Sequence, residues 1–501
     1  MSLAQHLPAL QVVLPLISAP LSVLLRRGGV AFALVTAAAW TAFAIAIALW
    51  WQVDASGTVS YQIGHWEPPW GIEYRVDRLS SFMLVLISGM AAVVLPYARA
   101  SIEREIPAES HYLFYAMLGL CFTGLLGITI TGDAFNLFVF LEISSLSTYV
   151  LIALGRDRRA LTSSYQYLIM GSIGATFIVI GIGFLYLMTG TLNLADIATK
   201  IAEVESSRPI LAALAFLTVG ISLKAALFPL HQWLPNAYTY APSAVTAFLA
   251  ATATKVSLYA LIRFYFTVFG ETFVFSKLPL PEIMLVLSLF AMFVANTVAI
   301  FQNNLKRLFA YSSVGQIGYI TLGLSFDSLH GLTASITHIF NHGIAKGAIF
   351  LLIGGIVAGM TTRPGVTPAP TLDRLAGLGR QMPVTCFGIV LGGLSLIGVP
   401  GTAGFISKWY LVLAAMEKGQ WWLVGAILAS SLLAVAYVWR FVEVAYFREP
   451  LAHHKAVGEA QLRLLLPAAL LIAATLWLGF DTSFTVGSAL DAAEQLLRTS
   501  R

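Results

Sequence analysis

Ionisable residues occur in a stretch of this chain that is otherwise apolar enough to cross a bilayer. Lys224, His231 and Lys255 share the stretch with two prolines, Pro229 and Pro235. A lysine near the bilayer centre costs roughly 2.5–3.5 kcal/mol on insertion scales. A proline removes a helix hydrogen bond, and irregular backbone at membrane depth is tolerated only inside protein or beside a watery cavity. Together these features predict a pathway for ions or protons.

A carboxylate, Glu142, is expected at a similar depth. It lies nine residues after Asp133, which is roughly 13 Å along a helix and about half of the hydrocarbon thickness. We expect Lys224 to be its partner, because two unit charges about 4 Å apart attract with about 4 kcal/mol at an effective dielectric near 20. Motion of Glu142 would then decide whether the lysine keeps its proton. The alternative is a purely structural tie between two helices.

Three further ionisable residues are spaced to share one helical face. His338, His342 and Lys346 follow one another at intervals of four residues in an apolar segment, so they line one stripe of a helix. Zinc binding is the rival chemistry, since histidines at this spacing can hold zinc. No carboxylate or cysteine accompanies them in this helix, which favours a titrating relay. His231 could extend the same line.

A second apolar segment is also interrupted and also carries a lysine. The sequence LSLIGVPGTAGFISKWYL contains Gly398, Pro400 and Gly401, and Lys408 follows them. A lysine that extends toward the membrane surface, helped by its aromatic neighbours, is the alternative. We favour a role for Lys408 in the pathway, because it is the only charge in this segment.

Composition predicts the elements that must position these residues. The chain is 58% hydrophobic and 11% charged, whereas ordinary globular domains carry about 25% charged residues. The expected fold is all-α and polytopic, a single integral-membrane domain over residues 1–501. Residues 52–78 suit an interfacial hairpin, and residues 483–501 suit a segment along the interface. About fourteen spans are predicted, beginning near Leu7, Gly29, Leu79, His111, Asp133, Thr162, Pro209, Ala241, Pro281, Asn304, Leu329, Met382, Trp421 and Leu462.

The two interrupted spans, the seventh and the twelfth, suggest an internal repeat. Five spans separate them, and this odd offset gives the two units opposite topology. Paired breaks at matching places in two halves point to a transport site between inverted repeats. We therefore expect residues 111–266 and 281–447 to form two inverted five-helix repeats.

Basic residues predict the orientation. They are concentrated in the loops after odd-numbered spans, for example Arg26, Arg27, Arg156, Arg158 and Arg159. By the positive-inside rule these loops are cytoplasmic, so both termini of a protein in the cell (inner) membrane face outward.

Five motifs carry a resemblance to a known family. They are LEISSLSTYVL, SLKAALFPLHQWLPNAYTYAPSAVTAFLAATATK, NNLKRLFAYSSVGQIGY, HIFNHGIAKGAIFL and GVPGTAGFISKWYL. The sequence resembles the antiporter-like subunits of complex I and of multisubunit Mrp-type cation/proton antiporters. Within that family it is most similar to the D-type subunits of the Mrp antiporters.

The resemblance implies a role for each matched position. Glu142 and Lys224 would be the fifth-span carboxylate and its seventh-span partner, and Lys255 the eighth-span relay. His338, His342 and Lys346 would form the eleventh-span connection, and Lys408 the exit lysine of the twelfth span.

The function implied is a proton-translocating subunit rather than an enzyme. Proton movement would be coupled to Na⁺ or K⁺ export, and the partners would be other membrane subunits, the two ions and the lipid bilayer. No glycine-rich phosphate loop or redox-centre motif occurs, so no cofactor or nucleic acid is expected. Two alternatives remain open. One is the same module in complex I or a membrane-bound hydrogenase, and the other is an autonomous symporter for a small solute.

Overall fold

The computed structural model describes most of the chain, namely residues 3–204, 208–276, 278–361, 368–451 and 457–499. Four basic residues that enter the orientation argument, Lys277, Arg363, Lys455 and Arg501, lie outside the described residues. Residues 500–501 of the predicted interfacial segment also lie outside them.

The described chain is almost entirely α-helical, as predicted. Its helices are α1 (Leu7–Leu25), α2 (Gly28–Ser56), α3 (Arg78–Glu105), α4 (His111–Ile130), α5 (Ala134–Ala153), α6 (Arg159–Thr189), α7 (Leu194–Val204), α8 (Arg208–Lys224), α9 (Trp233–Tyr240), α10 (Ser243–Ile262), α11 (Leu280–Phe290), α12 (Asn296–Ile300), α13 (Leu305–Ser325), α14 (Leu329–Met360), α15 (Pro383–Ile397), α16 (Ala403–Glu417), α17 (Trp421–Val442), α18 (Leu462–Phe480) and α19 (Ser483–Thr499).

Short helical pieces of other types extend or join these helices. The π-helical stretches are Arg263–Val268, Thr272–Ser276, Ala291–Ala295 and Glu443–Phe447. The 3₁₀ turns are Leu3–His6, Ile63–His65, Ala108–Ser110, Leu372–Leu375 and Leu378–Arg380. A π-helical stretch joins α11 and α12 into one continuous span, Leu280–Ile300.

By length and apolar composition, 11 of the described helices can cross a membrane, or up to 12 if one bent pair counts as a span. That is fewer than the fourteen spans predicted, although helix forms in all fourteen predicted places. The difference has a physical reason in three segments. The seventh and twelfth are broken into short helices, and α13 is rich in small polar residues.

The predicted hairpin is present before α3. Strand β1 (Val59–Gln62) pairs antiparallel with β2 (Glu73–Val76), with Val59 opposite Val76 and Gln62 opposite Glu73. Asp77 follows β2 directly and caps α3, since its carboxylate accepts the Ser80 amide at 3.0 Å. Side-chain capping satisfies one of the amides that a helix N-terminus leaves unpaired. We call the face of the molecule that carries β1 and β2 the hairpin side.

Helix α14 lies at the centre of the bundle. It packs against α3, α10, α13, α15, α16, α18 and α19. The last helix, α19, contacts α3 as well, and its residues Ala489, Ala492 and Ala493 are buried. The interfacial position of residues 483–501 and the inverted relation of residues 111–266 to residues 281–447 stay predictions.

Candidate functional site

Glu142 and Lys224 form an ion pair between two helices. Glu142 lies on α5, and Lys224 is the last residue of α8. The Lys224 Nζ atom lies 2.9 Å from Glu142 Oε1 and donates a second hydrogen bond of 2.7 Å to Ser145 Oγ. Ser145 is three residues after Glu142, so both face the same neighbour. The two side chains differ in exposure, which is 3% for Lys224 and 24% for Glu142. The predicted pairing is therefore observed.

The seventh span breaks immediately after Lys224. Helix α8 ends there and α9 begins at Trp233, so residues 225–232 are irregular. Pro229 lies inside this break, whereas Pro235 lies in the first turn of α9, where a missing amide hydrogen costs nothing. The indole nitrogen of Trp233 donates a 3.0 Å hydrogen bond to the Leu223 carbonyl. The break thus leaves the lysine at a free helix end, beside its carboxylate partner.

His231 also lies in this break, but it faces another direction. Its ring stacks on Phe228, with ring centroids 5.2 Å apart, and meets the edge of Tyr311 on α13. The described contacts do not connect it to the stripe of α14. Its predicted place in the line stays a prediction.

Lys255 is enclosed between α10 and α14. It is fully buried, and its Nζ atom donates to the Ala250 carbonyl. Gly343 permits this close packing, because a Cβ atom there would lie 2.9 Å from the Ala251 carbonyl oxygen. Lys255 follows Ala251 by four residues, and His342 and Lys346 lie on either side of Gly343 in sequence. The packing of α10 against α14 therefore places three of the predicted groups in one region of the protein.

The stripe on α14 is present, and its members have different partners. The rings of His338 and His342 stack with centroids 5.7 Å apart. His338 contacts Ser407 Oγ at 2.7 Å and Gln316 Oε1 at 3.0 Å. His342 is buried, and neither of its ring nitrogens has a hydrogen-bond partner among the described residues.

Lys346, at the end of the stripe, points toward α13. Its Nζ atom donates to the Phe309 carbonyl at 2.7 Å and to the hydroxyl of Ser312. The same ammonium lies 5.4 Å from the centroid of the Phe309 ring. The stripe therefore diverges, with Lys346 directed to α13 and His338 directed to the second break.

Lys408 turns inward to that second break and does not extend to the surface. Its Nζ atom donates to the carbonyls of Leu396 and Ile397, both at 2.9 Å, and to Ser431 Oγ at 3.0 Å. These carbonyls end α15 and have no partner within that helix. The ammonium also lies 4.3 Å from the centroid of the Tyr319 ring, a cation–π distance.

The break between α15 and α16 depends on glycine. Gly398 and Gly401 have φ values of 89° and 84°, which favour glycine, and Pro400 lies between them. A Cβ atom at Gly398 would lie 2.9 Å from the Lys408 side chain. The three residues predicted to interrupt this span therefore form the bend against which Lys408 packs.

His338 and Lys408 share one polar network. Gln316 joins them, since its side-chain oxygen contacts His338 and its nitrogen donates to the Leu396 carbonyl at 3.2 Å. Lys408 donates to the same carbonyl. These hydrogen bonds connect α14 to α16, and the Leu396 carbonyl between them accepts from both Gln316 and Lys408.

The other three buried lysines of the predicted pathway differ from Lys224 in having no counter-ion. Within the part of the chain that the structure describes, Lys255, Lys346 and Lys408 form no ion pair and donate to carbonyl and hydroxyl oxygens instead. The described residues also hold no group of three or more His, Cys, Asp or Glu side chains placed to bind a metal ion.

Residues 131–434 match the model of a protein family described as NADH:quinone oxidoreductase/Mrp antiporter, TM. The chain belongs to this family. NADH-quinone oxidoreductase subunit N of Desulforudis audaxviator is 40% identical to it over 93% of each chain. The D-type subunit of the Na(+)/H(+) antiporter of Alkalihalophilus pseudofirmus is 30% identical over 89% of this chain and 88% of its own.

Similarity to solved structures agrees with membership of this family. A chain of the Mrp complex from a Dietzia species matches with a TM-score of 0.89 and 26% identity, covering 99% of this chain and 98% of its own. A chain of the archaeal membrane-bound sulfane sulfur reductase matches with a TM-score of 0.86 and 28% identity over the same shares. The protein is thus a multi-pass, antiporter-like membrane subunit of the Mrp or complex I type.

Several polar side chains that contact the predicted site residues are not predicted from the sequence. Ser145, Gln316 and Ser407 contact predicted residues but are not themselves predicted from the sequence. Ser145 could have been predicted because it lies three residues after Glu142. Ser407 could have been predicted because it directly precedes Lys408. Gln316 has a signal of its own, since an amide inside an apolar span needs a buried partner.

Proposed function

We propose that this chain translocates protons in a multisubunit monovalent cation/proton antiporter. Protons would pass along Glu142, Lys224, Lys255, the stripe of His338, His342 and Lys346, and Lys408. Their flow would be coupled to export of Na⁺ or K⁺ by the assembled complex. The partners are other membrane subunits, as in the complexes named for the solved relatives.

One observation carries the proposal. Five lysines are buried in the described structure, and four of them belong to the predicted pathway, with exposures of 3% for Lys224, 6% for Lys408 and 0% for Lys255 and Lys346. The fifth, Lys306, lies in the first turn of α13. Only Lys224 has a carboxylate partner in the described structure. Ionisable groups inside a membrane are costly and mark ion paths or proton relays. A purely structural role would not require four such groups on four helices in and around the centre of the bundle.

The Glu142–Lys224 pair supplies a control point. Attraction between the two charges is worth about 4 kcal/mol at about 4 Å and an effective dielectric near 20. The irregular residues 225–232 follow Lys224 directly, so a change in this break can alter the distance between the two groups. Separation would release the proton toward Lys255, and approach would hold it.

The proposed location is the cell (inner) membrane, with both termini outside. Basic residues support this orientation, since Arg26 and Arg27 follow α1, and Arg156, Arg158 and Arg159 follow α5. These loops lie on the face opposite the hairpin side. Under this assignment the hairpin side is the outer side.

A second candidate is the same proton module in a redox-driven complex. The 40% identity to NADH-quinone oxidoreductase subunit N favours it, whereas the TM-score of 0.89 to a chain of an Mrp complex favours the antiporter. The two differ in what drives proton movement. An antiporter responds to a Na⁺ or K⁺ gradient, and a redox complex responds to an electron donor and co-purifies with its redox subunits.

The proposal is tested in everted vesicles that contain the whole complex. Cation-driven proton movement is compared for Glu142→Gln, Lys224→Ala and Lys408→Ala, with Glu103→Gln and Lys200→Ala as exposed matched controls. We expect each of the first three to fall about tenfold or more, the effect of about 1.4 kcal/mol on a barrier. The two controls should keep the wild-type rate. Near-normal rates in all three variants, with the complex assembled, would overturn the relay.

A further inference from the structure

A small polar cavity opens on the hairpin side, away from the residues of the relay. Its volume is ≈ 60 Å³, and it is lined by Glu73, Arg75, Asp77, Tyr259, Arg263 and Thr267, among others. A water needs only about 10–15 Å³ of such space. The cavity therefore has room for several waters.

A buried ion pair forms one wall of this cavity. Arg263, directly after α10, makes two contacts with the carboxylate of Asp77, the residue that caps α3. The side chains are only 8% and 11% exposed. Arg263 also donates to the Tyr259 hydroxyl at 2.9 Å, and that hydroxyl donates to the Thr129 carbonyl at 2.7 Å. These contacts close the cavity toward the interior.

Helical spacing joins the closed wall to the relay. Lys255, Tyr259 and Arg263 follow one another at intervals of four residues along α10 and its π-helical continuation. They therefore lie on one face of the helix, with Lys255 roughly 12 Å inside Arg263. Tyr259 lies between them, about one turn from each.

We propose that the Asp77–Arg263 pair is the hairpin-side gate of the proton route, closing a passage from the cavity past Tyr259 to Lys255. This inference rests on the proposed function, because it needs Lys255 to exchange protons. Protonation of Lys255 places a second positive charge on the face that carries Arg263, and like charges on one face repel. Opening of the pair would then admit water to Tyr259 and Lys255.

The gate is tested by cysteine accessibility in the assembled complex, a measurement that does not depend on transport. In a background with Cys121 and Cys386 replaced by alanine, Lys255→Cys, which leaves Tyr259 in place, is treated with a membrane-impermeant methanethiosulfonate. The same variant is then combined with Asp77→Asn and Arg263→Gln. This double change keeps the site neutral, and asparagine is itself a good helix cap.

We expect Lys255→Cys to react about tenfold faster or more when the pair is removed, and only from the hairpin side. Ala195→Cys, in the half-buried lining of the cavity, should react quickly in both backgrounds. Leu258→Cys, which is buried and does not line the cavity, should stay slow in both. An unchanged rate at Lys255→Cys would overturn the gate, as would an equal increase at Leu258→Cys, which indicates general loosening.

The two proposals can fail separately. If Glu142→Gln and Lys224→Ala transport normally, the proposed relay is wrong whatever the labelling rates are. If those variants lose transport while the reactivity of Lys255→Cys does not depend on the Asp77–Arg263 pair, the relay stands and the gate is wrong. This second result is expected if the Asp77–Arg263 pair serves only to hold α3 and α10 together.

Discussion

The ammonium group of Lys408 lies 2.9 Å from the carbonyl oxygen of Leu396, across the break that separates their two helices. The lysine of the twelfth span thus holds together the two halves of its own span. Lys224 behaves differently, since it ends α8 and pairs with Glu142 on α5. One lysine connects two parts of a single span, and the other connects two spans.

Replacement of Lys408 should separate its structural role from its role in proton transfer. Lys408→Met leaves the Ile397 carbonyl without its donor, at about 1–3 kcal/mol for a buried group left unsatisfied, whereas the Leu396 carbonyl keeps its hydrogen bond from Gln316. Lys408→Arg keeps a donor but cannot release a proton. We expect Lys408→Met to lose both thermal stability and transport, and Lys408→Arg to regain stability alone. Thermal unfolding and vesicle proton uptake measure the two effects. Wild-type transport by Lys408→Arg would contradict proton carriage here.

Unequal burial predicts an asymmetry in the Glu142–Lys224 pair. Glu142→Gln leaves the nearly buried Lys224 without its counter-ion, whereas Lys224→Met leaves a carboxylate that is 24% exposed and only partly enclosed by this chain. Loss of one partner of a buried pair costs about 3–5 kcal/mol. We expect Glu142→Gln to lower the unfolding temperature more than Lys224→Met, and the double variant to recover part of the loss. Equal and additive effects would show that the two charges are not coupled.

Alanine variants of the two histidines of α14 should differ in their free energy of unfolding but should both lose proton transport. His338→Ala removes the partner of Gln316 Oε1 and one of the two contacts of Ser407 Oγ, whereas His342 has no hydrogen-bond partner among the described residues. We expect His338→Ala to cost about 1–3 kcal/mol more than His342→Ala in the free energy of unfolding. Both variants should lose proton movement if the stripe carries it. Retained transport in His342→Ala would remove the centre of the proposed route.

The contact between α10 and α14 should depend more on Gly343 than on Gly347, which lies one turn further along α14. A Cβ atom at Gly343 would meet the Ala251 carbonyl oxygen at 2.9 Å, which is backbone and cannot move aside. At Gly347 it would meet the Met90 Cε atom, the flexible end of a side chain. We expect Gly343→Ala to lower the unfolding temperature and slow vesicle proton uptake, and Gly347→Ala to do so less.

Gly183→Ala serves as the matched control for this comparison. No atom lies within 4 Å of a Cβ built at Gly183, and alanine in a helix gains about 0.5–1 kcal/mol over glycine. The control should be neutral or stabilising. A Gly343→Ala variant that behaves like Gly183→Ala would show that the two helices can separate without loss.

Local patterns in the sequence predict the helices, the hairpin and both breaks well. Apolar length gives the position of a helix, and Pro229, Gly398 and Pro400 identify where a span cannot continue. The Glu142–Lys224 pair is also predictable, because the two residues are expected at a similar depth and pairing offsets part of the cost of burying each charge. These inferences use neighbours in sequence or a strong energetic requirement.

Long-range contacts cannot be predicted in the same way. By sequence alone Arg263 suits a loop of the outer side, yet it is buried against Asp77, 186 residues away in sequence. Lys306 suits a cytoplasmic anchor equally well, but it is buried and donates to the Ala241 carbonyl at 3.0 Å. Helical periodicity gives the face of a residue and not the helix that it meets. For the same reason, the sequence does not predict the partners of Lys408.

The length of α14 has a consequence for the lipid around it. Its 32 unbroken residues measure about 48 Å, whereas the hydrocarbon core of a bilayer is about 30 Å thick. Such a helix must incline or project into the headgroup layers. Acyl chains of another length would change that inclination, and with it the height at which the two imidazoles and the lysine sit. If protons follow the proposed route, bilayer thickness would then affect how easily they cross.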